Sequence, residues 1–316
     1  MAGTLDPTTC KVALLSGGIS GEREVSLASG KSVGEALRNT GYQVTILDPA
    51  EKNDLMKLIE GPFDVAFLVT HGKGGEDGTL QGFLETIKLP YTGSGVCASA
   101  IAMNKSKAKQ VYCEAGLPTL PSVTLHKVEG YSLDDIIGKL GDHCVVKVAA
   151  EGSSIGLYIE EGRENIAAAI EKAFTQGEEV LVEKFCAGRE LTVGVIGNDD
   201  PTALPIIEIV PRNEFYDYDA KYSPGGSTHI CPAEIDEPIA AKIRSCAENA
   251  HKALGCRGVS RTDFILEENG DFWMLETNTL PGMTATSLLP DAASKVGMSY
   301  EELCTKLIEL ALENVD

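Results

Sequence analysis

Lys11-Val-Ala-Leu-Leu15 is a short apolar run that ends in the glycine-rich stretch Ser16-Gly-Gly-Ile-Ser-Gly21. Beyond it Val25, Ala28, Ser29, Ser32, Val33, Ala36 and Leu37 recur at the spacing of one buried helix face, with Gly41 placed to end the helix. The order strand, loop, helix is therefore predicted. Tyr42 to Leu47 and Phe63 to Thr70 read as two further strands. Strands alternating with helices predict a parallel α/β layer over roughly the first hundred residues, with ligands at the loops that follow the strands.

From Ala98 to Ala115 the pattern is helical throughout, and Pro118 and Pro121 mark a change of element. Strand-like runs then crowd together: Cys144 to Val148, Ile155 to Ile159, Glu179 to Phe185, Leu191 to Ile196 and Ala203 to Val210. One clear helix, Glu164 to Phe174, interrupts them, so this region is expected to be antiparallel and of α+β type. The polar stretch 213–231, rich in Tyr, Asp and Gly, is too long for an ordinary connector and suits a lid. A helix from Asp236 to Leu254, a hairpin, and a closing helix from Tyr300 to Leu312 complete the pattern.

Composition narrows the function classes. The chain has 316 residues with 43% hydrophobic, enough for two or three domains, and a net charge of −20 that argues against a general nucleic-acid binder or a basic membrane-surface protein. Nine cysteines, an odd number without a C-x-x-C pair, indicate neither a disulfide framework nor a zinc knuckle and fit a reducing cytoplasm. Met1 to Cys10 carries no basic stretch followed by an apolar one, and no run of apolar residues is long enough to span a bilayer. A soluble, unprocessed chain is expected.

The most informative chemistry lies between Arg261 and Asn278. Asn269-Gly270 signals a two-residue hairpin loop. In that register Glu268 faces Asp271, Asp263 lies opposite Glu276, and Arg261 lies opposite Asn278. Opposed carboxylates destabilise a sheet, and a cation would explain them; Asn278 shares the face of Glu276. Oxygen ligands of this kind suit Mg²⁺. A solvated strand face is the alternative.

Lys105, Lys147, Lys184 and Lys221 form a second group. Lys147 sits inside the apolar strand Val145-Val146-Lys147-Val148, where an unpaired ammonium is costly and a phosphate would answer the cost. The following Glu151-Gly-Ser-Ser-Ile-Gly156 offers backbone N–H groups and hydroxyls, though a plain hairpin turn accounts for it equally. Gly30-Lys31-Ser32 fails as a P-loop because Val25 stands where glycine is needed and the residues lie in a helix pattern. The Ser16 to Gly21 loop, with Asp48 ending the next strand, has G-G-x-x-G spacing and makes only a weak dinucleotide signal. Glu22, Arg23 and Glu24 crowd the start of the first helix, where acidic capping is one account and an ammonium site at Glu22 another. His71, set among glycines after the third strand, is the one candidate histidine; His126, His143, His229 and His251 read as ordinary.

Seven segments carry a resemblance. Ser20-Gly-Glu22-Arg-Glu-Val-Ser26, His71-Gly-Lys-Gly-Gly-Glu-Asp-Gly-Thr-Leu-Gln-Gly82, Pro90-Tyr-Thr-Gly-Ser-Gly95, Glu151-Gly-Ser-Ser154, Tyr216-Asp-Tyr-Asp-Ala-Lys-Tyr222, Arg261-Thr-Asp263 and Glu276-Thr-Asn-Thr-Leu-Pro-Gly-Met-Thr284 occur in this order. Together they resemble the D-alanine:D-alanine ligase family of the ATP-grasp superfamily, from about Lys11 to the C-terminus.

The resemblance implies a three-domain ATP-grasp architecture: an N-terminal parallel α/β domain over 1–103, and two α+β domains over 104–187 and 188–316 that enclose the nucleotide. It implies that ATP phosphorylates one D-alanine and that the amine of a second attacks the acyl phosphate, for peptidoglycan precursor synthesis. Asp263, Glu276 and Asn278 would hold two Mg²⁺ (or Mn²⁺). Lys105, Lys147, Ser153, Lys184 and Lys221 would address ATP, with Glu183, the Cys186 backbone and Glu190 on its adenine and ribose side. Glu22 would bind the first ammonium, with His71 nearby. Ser287 and Leu288 would line the second D-alanine, and Arg261 with the Gly282 backbone would stabilise developing charge. Tyr222, on the lid, would bond Ser153 and Glu22. A cytoplasmic homodimer is implied as well.

Val148 and Asn104 depart from the residues usual in the family, Pro and Asp, at positions that carry no chemistry. D-alanyl-D-lactate-forming relatives typically lack the Tyr-bearing loop, and D-alanyl-D-serine-forming ones often have Arg where this chain has Leu288. Both features favour D-alanine as second substrate over those alternatives. A non-catalytic nucleotide binder and a dinucleotide-dependent oxidoreductase are the competing classes.

Overall fold

The structure is a computed structural model that describes residues 6–150, 156–211 and 227–313. Expectations placed on Ser153, Lys221, Tyr222 and most of 213–231 therefore lie outside the described residues.

The parallel layer forms as predicted. Strand β1 (Lys11–Leu15) lies between β2 (Gln43–Leu47) and β3 (Val65–Leu68), parallel to both. Helix α1 (Arg23–Thr40) follows β1 and stops at Gly41, whose φ of 105° is a left-handed cap conformation costly for other residues. Gly30-Lys31-Ser32 lies inside this helix, so the P-loop reading fails on structure as on sequence. Two short helices, α2 (Lys52–Glu60) and α3 (Thr79–Thr86), complete the layer.

The single helix expected over 98–115 is two. Helix α4 (Val96–Met103) ends at Asn104, whose backbone is extended (φ −95°, ψ 102°), and α5 (Lys105–Glu114) begins there, with the Asn104 side chain accepting from Lys107 N at 3.0 Å. The apolar period runs unbroken across the joint, which is why the sequence pattern hides it; asparagine as N-cap was the available signal.

A four-stranded antiparallel sheet follows, in the order β4 (Ser122–His126), β7 (Glu179–Lys184), β5 (His143–Val148), β6 (Leu157–Glu161). Its core is Val146, Ile166, Ile170 and Val182, covered by α6 (Leu133–Leu140) and α7 (Arg163–Phe174). The second antiparallel sheet runs β11 (Ser227–Ile230), β10 (Ile207–Pro211), β8 (Arg189–Ile196), β12 (Val259–Leu266), β13 (Phe272–Asn278), with β9 (Thr202–Ala203) beside β8. The expected run 203–210 is broken at Pro205, which has no N–H to give the ladder, just after Leu204 N donates to Gly194 O at 2.8 Å.

Helix α8 (Glu237–Leu254) packs on this second sheet, and Ala108 and Tyr112 of α5 share its core with Leu191, Ile243 and Phe264. On the opposite side α9 (Leu288–Lys295) and α10 (Tyr300–Leu312) join the sheet to the parallel layer: Leu289, Leu303 and Ile308 pack with Val12, Leu14 and Leu37. The loops after β1 and β3 thereby face the end of β13.

Candidate active site

The hairpin reaches the predicted pairing by another route. Asp263 pairs with Glu276 and Arg261 with Asn278, but Phe264 pairs with Met274, which leaves Leu275 as an extra residue on β13. At the turn Glu267 N donates to Asp271 O, so Glu267 and not Glu268 faces Asp271, and the loop is the three residues Glu268-Asn269-Gly270. Gly270 takes φ +89°, as such a loop requires. One residue more in the loop and one more in the bulge cancel.

The opposed carboxylates each have a protein cation. Arg261 Nε and Nη2 both donate to Asp263 at 3.1 Å, Thr192 Oγ1 donates to Asp263 Oδ1 at 2.5 Å, and Lys105 Nζ lies 3.3 Å from Glu276 Oε2. The pair therefore has protein counter-charges beside it, a third account next to the expected cation and the solvated strand face. The donor set nonetheless fits Mg²⁺: all available ligand atoms are oxygens, and the Asp263 and Glu276 side chains remain 20% and 30% exposed. Among the described residues no three His, Cys, Asp or Glu side chains converge, so a third protein ligand would be the Asn278 amide oxygen.

Glu22, His71, Lys105, Arg261, Glu276, Asn278, Gly282, Ser287 and Leu288 line one cleft of about 530 Å³ between the parallel layer and the second sheet. Glu22 is the N-cap residue of α1 and makes no side-chain cap bond; it is buried and lines the cleft, so its charge stands at the helix N-terminus and at the cavity at once. Gly72 (φ +66°) packs against it, since a β-carbon there would lie 3.1 Å from Glu22 Oε2. His71 Nδ1 lies 3.2 Å from Glu76 Oε1, and Gly72 N donates to Glu76 Oε2, so Glu76 fixes the ring while its Nε2 stays buried without a hydrogen-bond partner. Gly282 abuts Ser287, whose Oγ accepts from Thr284 N at 3.0 Å.

The dinucleotide reading loses its acid. Asp48 accepts from Gly18 N and Ala50 N and pairs with Arg23 at 2.6 Å, so it is consumed in holding its own loop.

Lys147, Glu183, Lys184 and Glu190, which the resemblance assigns to ATP, stand on the two antiparallel sheets, and Cys186 lies between β7 and β8; none of them is in this cleft lining. Lys147 on β5 is not the unpaired ammonium expected: Glu183 on β7 bonds it, and also bonds Lys109 of α5. Burial works against the Glu183 charge, but Lys147 and Lys109 outweigh it and hold the carboxyl below its ordinary range. Lys184, next along the strand, points to solvent. The Cys186 thiol donates to Glu267 at 3.1 Å, and burial together with that carboxylate pushes it up to about 12. Glu190, on β8, is half-buried.

Sequence reasoning missed two residues. His229 on β11, read as ordinary, lines the cleft, and its burial pushes its pKa down. Lys109 was passed over although it stands one turn after Lys105 beside buried Ala108 and Tyr112, the available signal.

The chain matches two family models, D-ala D-ala ligase N-terminus over residues 49–94 and D-ala D-ala ligase C-terminus over 111–309. It is similar to the D-alanine–D-alanine ligase of Syntrophobacter fumaroxidans, with 51% identity over 96% of this chain and 98% of that one. The Geobacter sulfurreducens D-alanine–D-alanine ligase is 45% identical over 95% and 93%. Among solved structures, the Bacillus anthracis D-alanine–D-alanine ligase complexed with ATP superposes with a TM-score of 0.86, 31% identity and coverage of 97% and 99%. The VanG D-Ala:D-Ser ligase of Enterococcus faecalis gives 0.83, 30% identity and coverage of 96% and 99%.

Proposed function

Since this chain belongs to the D-alanine–D-alanine ligase family, we propose that it joins two D-alanine molecules at the expense of ATP through the cleft described above. The observation that carries the reading is the convergence of Glu22, Arg261, Glu276, Asn278 and Ser287 from four separate elements on one cavity. A D-alanine carboxylate oxygen attacks the γ-phosphorus and ADP leaves. The amine of the second D-alanine then attacks the acyl carbon, and inorganic phosphate leaves.

Each residue has a task this geometry suits. Glu22 pairs with the first ammonium, and His71, its Nδ1 tied to Glu76, lines the cleft beside it. Arg261, buried and anchored on Asp263, stabilises charge on the transferring phosphoryl group and on the tetrahedral intermediate, with the Gly282 backbone N–H assisting. Ser287 meets the second carboxylate, and Leu288 leaves no cation for a serine hydroxyl. Lys105, Lys147, Lys184 and Lys221 receive the nucleotide, with Ser153; Glu183, the Cys186 backbone and Glu190 receive its adenine and ribose. By the resemblance, Tyr222 would bond Ser153 and Glu22. Asp263, Glu276 and Asn278 would hold two Mg²⁺ or Mn²⁺, which when bound neutralise the phosphate oxygens during transfer.

The domain boundaries at 103/104 and 187/188, a cytoplasmic location and a homodimer belong to the same proposal. Among the described residues no helix is long and apolar enough to cross a membrane. The test is a product assay with Mg-ATP and D-alanine in competition with D-serine or D-lactate. D-alanyl-D-alanine with one phosphate per dipeptide is expected. A predominance of D-alanyl-D-serine would reassign the enzyme to the activity named for the VanG relative, and tight ATP binding without phosphate release would leave a non-catalytic binder.

A further inference from the structure

Lys109 has no part in the mechanism above, yet it is one of the most buried charges in the chain. Its ammonium bonds Oε1 of Glu183 while Lys147 bonds Oε2, so one carboxylate is clamped at both oxygens by side chains from different elements. The three side chains are all buried, and they carry one positive charge in excess. A buried surplus of this kind is costly unless an anion meets it.

Helix α5 explains how the clamp is held. Lys105 and Lys109 stand four residues apart, on one helix face; the first lies 3.3 Å from Glu276 on the second sheet, the second reaches Glu183 on the four-stranded sheet. Ala108 and Tyr112 fix the helix in the core of the second sheet, and Lys105 N donates to Ala149 O at 2.8 Å beside the first. Asn104 Nδ2 adds a bond to Glu179 at 2.8 Å. The helix backbone that carries both lysines is therefore held by its core packing and by bonds at its N-terminus.

We infer that Lys109 is a positioning residue for the nucleotide: it locks the Glu183 carboxylate in the orientation that accepts from the purine amino group, and keeps it charge-paired when Lys147 turns to a ligand oxygen or ring nitrogen. The inference rests on the placement of ATP proposed above. Glu183 with a single partner would rotate about its side chain, and its free oxygen would no longer select an amino group over a carbonyl at the same ring position.

The test uses the full-length enzyme, with ATP and inosine triphosphate, which carries a carbonyl where adenine has its amine. In Lys109→Met, KM for ATP should rise about tenfold or more while KM for D-alanine stays within about twofold, and the preference for ATP over inosine triphosphate should collapse. Lys109→Arg, which keeps the charge, should restore most of both. A purely structural lysine would instead lower the melting temperature and the active fraction, leaving KM and nucleotide preference unmoved; that result overturns the inference, as does failure of Lys109→Arg to rescue. The unaltered enzyme provides the separate check: if it shows no preference for ATP over inosine triphosphate, the placement of adenine at Glu183 is wrong, whatever Lys109 does. If Lys109→Met is too unstable to assay, the same KM and preference measurements on Lys109→Gln decide the matter, with unchanged values again overturning it.

Discussion

Glu183 and the Asp263/Glu276 pair solve the problem of acidic side chains in a folded interior in opposite ways. One carboxylate sits between two ammonium groups, its side chain only 4% exposed, and the cluster is net positive. Two carboxylates face each other on β12 and β13, each with one cation and each partly exposed, and that cluster is balanced. The first arrangement is ready for an anion as it stands; the second gains a net charge only when a divalent ion is added. On the placement proposed above, the first cluster would meet the nucleotide beside its base, with the surplus ammonium free to turn toward a phosphate oxygen, and the second would meet the metal-bound phosphates.

The comparison breaks most sharply in turnover. Glu276→Gln should lower kcat by about a thousandfold while the fold persists, and so should Arg261→Met, since each removes charge where the phosphoryl group moves; phosphate release measured beside circular dichroism checks both, and an unchanged rate would sink the assignment. Stability should rank the two clusters the other way. Glu183→Gln strands two buried ammonium groups and is expected to cost about 3–5 kcal/mol in urea unfolding, against about 1 kcal/mol or less for the partly exposed Glu276→Gln.

A smaller effect separates buried charge from buried neutrality. His251, fully buried with Nδ1 2.8 Å from Ser260 Oγ, is pushed by burial from its ordinary 6.5 to about 4. The unfolded chain therefore takes up a proton before the folded one does. Its contribution is complete above about pH 6.5 and is lost as the pH falls toward 4, to a total of about 3 kcal/mol. Urea midpoints between pH 7 and pH 4 should show that slope, and His251→Asn should flatten it. Smallest of all, Ser299→Ala removes the capping box of α10, far from either cluster, and should cost about 1 kcal/mol without changing any kinetic constant.

How much of this was legible beforehand differs by element. Periodicity located α1, α7, α8 and α10 because each buries one face along its whole length. It missed β4 and α6, short elements outside the runs that stood out, and it fused α4 with α5 because the joint at Asn104 is made by backbone dihedrals and a cap. The hairpin pairing came out right through two compensating departures. The acids and Arg261 were readable because they are close in sequence, whereas the Lys109 and Glu183 partnership spans 74 residues and only tertiary packing creates it. Lys147 illustrates the same limit: an apolar strand announced a buried ammonium, and nothing local announced its counter-charge.

The extra residue at Leu275 insulates the catalytic end of the ribbon from its tip. In a regular hairpin, lengthening or shortening the turn by one residue would rotate every downstream side chain to the opposite face, taking Glu276 and Asn278 with it. Here the irregularity lies between tip and acids and already absorbs one such step. The turn at Glu268-Asn269-Gly270 accordingly lies beyond that irregularity, and a reporter peptide grafted there leaves the acids in register so long as the bulge at Leu275 is kept.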